Sequence, residues 1–230
     1  MPDFVFRAAD FSDAEYQTTL RQFLNGLVVG DWRQALLARG LGWNVTIGSF
    51  STPIVGGGAG TVLDLDQPEG VLSVPSGYCL VPLRISIQCQ PPLIAADNDE
   101  IEALIAVDRT AAASTDGTST PETPLGLRTD ISSGCPIVCT SAYTADMTAT
   151  TGSDPVLSFE LARAVKVADV QGTAANAKFD ELQLVYEPAN PPFIVGPAAV
   201  YLYWGGTVAT SGFAQCNFLA FSSALVTNLV

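Results

Sequence analysis

From about Asn44 onward, apolar and polar residues alternate with a period of two. Val81, Leu83, Ile85, Ile87 and Cys89 alternate with Pro82, Arg84, Ser86 and Gln88. Ile101, Ala103, Ile105 and Val107 alternate with Glu100, Glu102 and others. Leu157, Phe159, Leu161 and Val165 repeat the pattern, as do Leu182, Leu184 and Tyr186. Side chains on a strand point alternately to its two faces, so each run predicts a strand with one buried face. Turn signals separate the runs: Gly56-Gly57-Gly58, Gln67-Pro68-Glu69-Gly70, Pro91-Pro92, Asp116-Gly117 and Gly152-Ser153-Asp154-Pro155. Many short strands between Gly/Pro turns predict an all-β, antiparallel sandwich or jelly roll over residues 44–230.

The first 43 residues follow a different period. Ser12 and Glu15 form a capping box, and Tyr16, Leu20, Phe23 and Leu27 recur at helical spacing. Asp31 with Gln34 marks a second start, and Trp32, Ala35 and Leu36 lead to Gly40, a helix stop. A short helical N-terminal arm over residues 1–43 is expected. It packs either on the sandwich or on a neighbour.

The last two predicted strands depart from one-face alternation. Val200, Leu202 and Trp204 face one way, with Tyr201 and Tyr203 opposite; Cys216, Phe218 and Ala220 face one way, with Leu219 and Phe221 opposite. Strands apolar on both faces are covered on both faces. From Pro188 to Val230 there is no Asp, Glu, Lys, Arg or His. The tail is broken by Pro191, Pro192, Pro197, Gly205, Gly206 and Gly212 and reads as strands and turns, not as a spanning helix. Its aromatic residues fit an interface core. Phe193, Val195, Tyr201, Tyr203, Trp204, Leu219 and Phe221 are therefore the expected subunit contacts, and Tyr203→Asp is expected to release monomers.

Composition narrows the function. The chain has 230 residues and a net charge of −13. That balance disfavours nucleic acid and anionic membrane as partners. The absence of histidine removes Ser-His-Asp and Cys-His catalysis and His-ligated zinc. Cys79, Cys89, Cys135, Cys139 and Cys216 form no CxxC pair, so reduced, buried thiols are expected in a protein made in a reducing cytoplasm. The opening MPDFVFRAADFSD has no signal-peptide pattern. Thr110–Pro124 and Ala145–Pro155 read as long polar strand connections.

Candidate chemistry is sparse. Gly56-Gly57-Gly58-Ala59-Gly60 lacks the Lys-Ser/Thr of a phosphate loop and is read as a turn. Asp64, Asp66 and Glu69, or Asp97, Asp99 and Glu100, have hard oxygen ligands at short spacing but do not match a calcium-binding helix-loop-helix. Turn acids are the plainer reading, and nothing places them across a cleft as a glycosidase pair. Asn44-Val45-Thr46 is a formal glycosylation sequon that matters only in a secreted protein. No catalytic, cofactor-binding or metal residue is assigned.

The order of segments then carries a resemblance. LVPLRISIQCQ, DNDEIEALIAVDR, a Thr/Ser/Gly loop, PLGLRTDISSGCPIVCTSAYTAD, FELARAVKVADV and FDELQLVYEPANPPFIVGPAAVYLYWGG follow one another, and GFAQCNFLAF closes the chain. Over residues 60–222 this resembles jelly-roll capsid decoration (cement) proteins of tailed bacteriophages, as in cyanophage-like and environmental phage genomes. The resemblance implies a tumour-necrosis-factor-like jelly roll and a homotrimer on the capsid exterior, contacting the major capsid protein, with no enzymatic activity and no cofactor. The alternative is a trimeric receptor- or carbohydrate-binding jelly roll of a phage tail, fibre or head spike.

Overall fold

The computed structural model describes residues 32–56, 63–96, 98–110, 119–131, 134–143, 147, 157–168 and 177–227. The expected helix at Ser12–Leu27, most of the Thr110–Pro124 loop and most of Ala145–Pro155 lie outside the described residues.

Helix α1 (Trp32–Ala38) opens the described chain. It ends at Gly40, whose φ is +78°. The Gly40 N–H donates to Leu37 O (2.9 Å) and the Leu41 N–H to Leu36 O (3.1 Å). This paired closure needs a left-handed residue at Gly40, which glycine supplies without strain.

Thirteen strands follow: β1 (Gly42–Ile47), β2 (Ile54–Val55), β3 (Gly70–Val74), β4 (Tyr78–Cys89), β5 (Glu100–Asp108), β6 (Thr120–Glu122), β7 (Leu125–Gly126), β8 (Val138–Ser141), β9 (Phe159–Val167), β10 (Leu182–Tyr186), β11 (Ile194–Val195), β12 (Ala198–Gly206) and β13 (Ser211–Ser222). They form two antiparallel sheets. The first has the order β10-β4-β13-β1-β7, with β11 on β4 and β2 on β13; the second has the order β6-β8-β3-β12-β5-β9. A short helix α2 (Ala224–Thr227) ends the described chain, where strands and turns were expected. Among the described residues, no helix is long and apolar enough to cross a membrane.

The main core lies between the sheets. Trp43, Val45, Ile47, Ile85, Ile87, Cys216 and Phe218 from the first sheet meet Leu72, Ile101, Ile105, Val200, Leu202 and Trp204 from the second. The alternation of β5 is as the sequence predicts, with Ile101, Ala103, Ile105 and Val107 all facing this core.

Two strands differ from the pattern, both through bulges. In β4, Arg84 lies opposite Asn217 and Pro82 opposite Phe218, so Leu83 has no partner. Ile85, Ile87 and Cys89 face the core, whereas Val81 and Leu83 are turned to the outer face. In β9, Ala162 lies opposite Ile105 and Glu160 opposite Ala106, which leaves Leu161 unpaired. Ala162 and Ala164 then face the core, and Val165 is exposed. One extra residue reverses the facing of everything beyond it, so a continuous period of two misassigns half of each strand.

Candidate functional site

The two-faced strands are two-faced in the structure. Every residue of β12 is buried, and so is most of β13. A second cover comes from this chain's own segments. On the outer face of the second sheet, Tyr201 and Tyr203 pack with Val71, Leu104, Ala106, Met147 and Ala199 beneath Leu63, Tyr143 and Leu157. The Tyr203 hydroxyl donates to Leu65 O at 2.9 Å. On the outer face of the first sheet, Leu219 and Phe221 pack with Cys79 and Val81 under Leu36, Leu37, Leu41 and Leu225. Trp204 is in the central core, where its Nε1–H donates to Ile54 O at 3.0 Å and its backbone N–H to Glu69 Oε2 at 2.8 Å.

Five of the seven expected subunit contacts are thus covered by their own chain. Phe193 and Val195 keep 44% and 46% of their surface exposed. Phe193 stacks on Trp32, with ring centroids 5.7 Å apart, and meets the edge of Phe221 at 6.4 Å. Val195 lies opposite Cys79, at the end of the row that contains Phe221.

The acidic clusters hold turns together. Asp64 Oδ1 accepts the Asp66 N–H at 3.1 Å, and Glu69 takes the Trp204 N–H described above. Asp99 Oδ2 accepts the N–H groups of Ala95 and Ala96, both at 2.6 Å, and its Oδ1 accepts the Thr207 hydroxyl at 3.2 Å. Asp97 lies outside the described residues. Among the described residues, no three His, Cys, Asp or Glu side chains are grouped so as to hold a metal ion.

Donors aimed at the charged carboxylate, the Ala96 N–H foremost, pull the Asp99 pKa below its ordinary value of 3.8. A depressed carboxylate contributes stability that is fully present above the unfolded pKa and is lost as pH falls through the folded one. Asp99→Ala is expected to cost about 2 kcal/mol at pH 7. In denaturant titrations the gap from wild type should narrow below pH 3.8. A gap that does not change with pH would contradict this account.

Glu102 behaves in the opposite way. It is 5% exposed on the outer face of β5, and Arg163 Nη1 lies 2.9 Å from its Oε1. Burial raises its pKa above the ordinary 4.5; Arg163 opposes the rise, while Glu100 and Glu160 add to it. A raised carboxylate stabilises the fold below the unfolded pKa and loses that contribution as pH rises through the folded one. Glu102→Gln should therefore be no less stable than wild type at pH 7, with its advantage shrinking toward pH 4.5. Arg163 would retain Glu160 at 3.0 Å. A large loss at pH 7 would instead mean that the ion pair with Arg163 outweighs the cost of burying the carboxylate.

Burial disfavours the thiolate at every cysteine. Cys79, Cys89, Cys139 and Cys216 are buried and Cys135 is partly buried, all as free thiols. Burial pushes Cys79 and Cys135 up to about 11, and Cys89 and Cys216 up to about 12. Cys139 is raised further, by burial and then by its neighbours Cys216 and Cys135. A thiol held protonated near neutral pH is a small apolar side chain.

A difference between the two sheets escapes a reading of the sequence alone. Arg84 is the one charged residue in the seven described strands of the first sheet. The second sheet carries Glu100, Glu102, Asp108, Glu122, Glu160, Arg163 and Lys166. Beside the part of the first sheet's outer face packed under α1 and α2 lies a neutral surface. Thr46, Gln215, Ser86 and Val185 form one cross-strand row; Phe213, Gln88 and Gln183 form another; Asn44, Asn217 and Arg84 form a third. Asn44 Nδ2 donates to Asn217 Oδ1 at 2.7 Å, and Arg84 reaches Glu187 at 3.7 Å. Exposed Val55, Leu125 and Val185 border the amides. The signal was present in the sequence as uncharged residues at the polar positions of these strands.

No family model, no curated protein and no solved structure matches this chain.

Proposed function

We propose that the chain is a non-enzymatic assembly subunit with a jelly-roll fold, and that it serves as a homotrimeric decoration protein on the outside of a tailed-phage capsid. The observation that carries the fold reading is the nesting of its eight principal strands. Taken in chain order as β1, β3, β4, β5, β9, β10, β12 and β13, the first pairs the last. The second pairs the seventh, the third the sixth and the fourth the fifth. A long hairpin rolled into two Greek keys produces this nesting.

The assembly reading draws its support from what the polar groups do. Asp99 and Glu69 accept backbone N–H groups, and the cysteines pack as free thiols. Such roles suit a subunit that bridges capsomers, which stabilises the shell by mass action. An acidic chain is repelled by packaged DNA, which favours the outer surface.

The test is co-sedimentation of the purified protein with shells of the cognate major capsid protein, together with its native mass at low micromolar concentration. A trimer that coats the shells and raises their heat resistance is the expected result. Failure to bind them, with retention on an immobilised glycan instead, would favour the receptor-binding alternative.

A further inference from the structure

We infer that the uncharged outer face of the first sheet is the surface on which a second copy of this chain packs. The inference rests on the assembly reading above and assigns its contact surface.

Charge is the main argument. Two copies that each carry −13 repel unless they meet where charge is absent. The described strands offer one such face. Thr46, Ser86, Gln88, Gln183, Gln215 and Asn217 stand on it, and its one strand charge, Arg84, is offset by Glu187. A sheet face turned only to water has no need to exclude charge, and the second sheet does not exclude it. Interface cores are depleted of charged residues in just this way.

Amide chemistry fits a neighbouring copy in a closed ring, where this face meets a different patch of the next chain. Each Asn or Gln side chain both donates and accepts, so the amides can satisfy polar groups of that patch without a complementary charge set. The bordering Val55, Leu125 and Val185 add apolar area that water alone does not reward. The edges agree with this reading. Strand β9 at the edge of the second sheet is guarded by Glu160, Arg163 and Lys166, whereas β10, β11, β2 and β7 along the first sheet carry no charge within the strands, and acids stand at the two ends of β10, Glu181 and Glu187. Val195, one of the two expected contacts that stays exposed, lies on β11 at that border.

The experiment places a like charge in the middle of the face. Gln215→Glu and Gln183→Glu are compared with wild type and with Val138→Glu, an exposed position on the second sheet. Native mass is followed over a dilution series, and circular dichroism monitors the fold. Both face variants should weaken self-association by at least about tenfold and run at the 24.1 kDa of one folded chain, while Val138→Glu stays assembled. Wild-type assembly that survives both face variants overturns the assigned surface and leaves the assembly reading standing. A wild type that is a single chain at every concentration overturns both. Two variants guard against one failing to fold.

Discussion

Trp204→Ala is expected to be the most damaging truncation in the core, costing about 3–5 kcal/mol. The indole is fully buried between the sheets, so its removal takes a large apolar area from the core and leaves a cavity. Core side chains line that cavity, and backbone closes it on one side. A Cβ on Gly212 would lie 3.1 Å from the Trp204 ring, and one on Gly56 would lie 2.1 Å from the Trp204 carbonyl oxygen. Strand β13 and the segment that follows β2 thus approach too closely for any larger residue, and they cannot collapse inward without breaking ladder hydrogen bonds. Ile54 O also loses its donor. Against a total stability of about 5–15 kcal/mol, the loss removes a large share of the folded population at 37 °C. For a domain of this size it corresponds to a fall in melting temperature of about 6–20 °C. Trp204→Phe separates the two contributions, since it keeps most of the ring area and loses only the Ile54 bond, for about 1 kcal/mol plus a smaller cavity. A Trp204→Ala protein that melts within a degree or two of wild type would refute the placement of this side chain at the centre of the sandwich.

The parts of this fold that could be read from the sequence are those governed by short-range rules. The facing of Ile101, Ala103, Ile105 and Val107 follows from strict alternation in a strand without a bulge. The stop of helix α1 at Gly40 follows from local capping chemistry. The double burial of Val200–Trp204 follows from five successive apolar side chains. The bulges at Leu83 and Leu161 could not be read, because an extra residue in one strand is defined only by its partner strand. What covers the outer faces could not be read for a related reason. Tyr203 is equally apolar whether Leu63 and Leu157 or a second subunit lies above it, and only the three-dimensional path of the chain decides. The neutral face was hidden differently. Its amides are unremarkable one by one, and their meaning arises only when the register sets four strands side by side.

Tyr203→Asp is expected to unfold the chain, not to release folded monomers. Tyr203 has no exposed surface, and its hydroxyl is tied to Leu65 O. Its ring centroid lies 6.0 Å from that of Tyr201. Burial, and then the neighbouring Tyr201, Glu69, Asp66 and Asp108, raise its pKa far above the ordinary phenol value, so the site already disfavours negative charge. An aspartate there loses the buried ring, at about 3–5 kcal/mol, and either buries an unpaired charge among acids or takes up a proton to avoid it. The sum is comparable with the whole stability of a typical domain. Tyr203→Phe serves as the mild control, since it removes only the bond to Leu65 at about 1 kcal/mol. The readout that decides is concentration dependence. If the side chain supports its own chain, the denaturant midpoint of Tyr203→Asp collapses equally at all protein concentrations, and what remains is unfolded by circular dichroism. If it were a subunit contact, the variant would be a folded single chain with native far-ultraviolet signal. The latter outcome would restore Tyr203 and the outer face of the second sheet as a subunit contact.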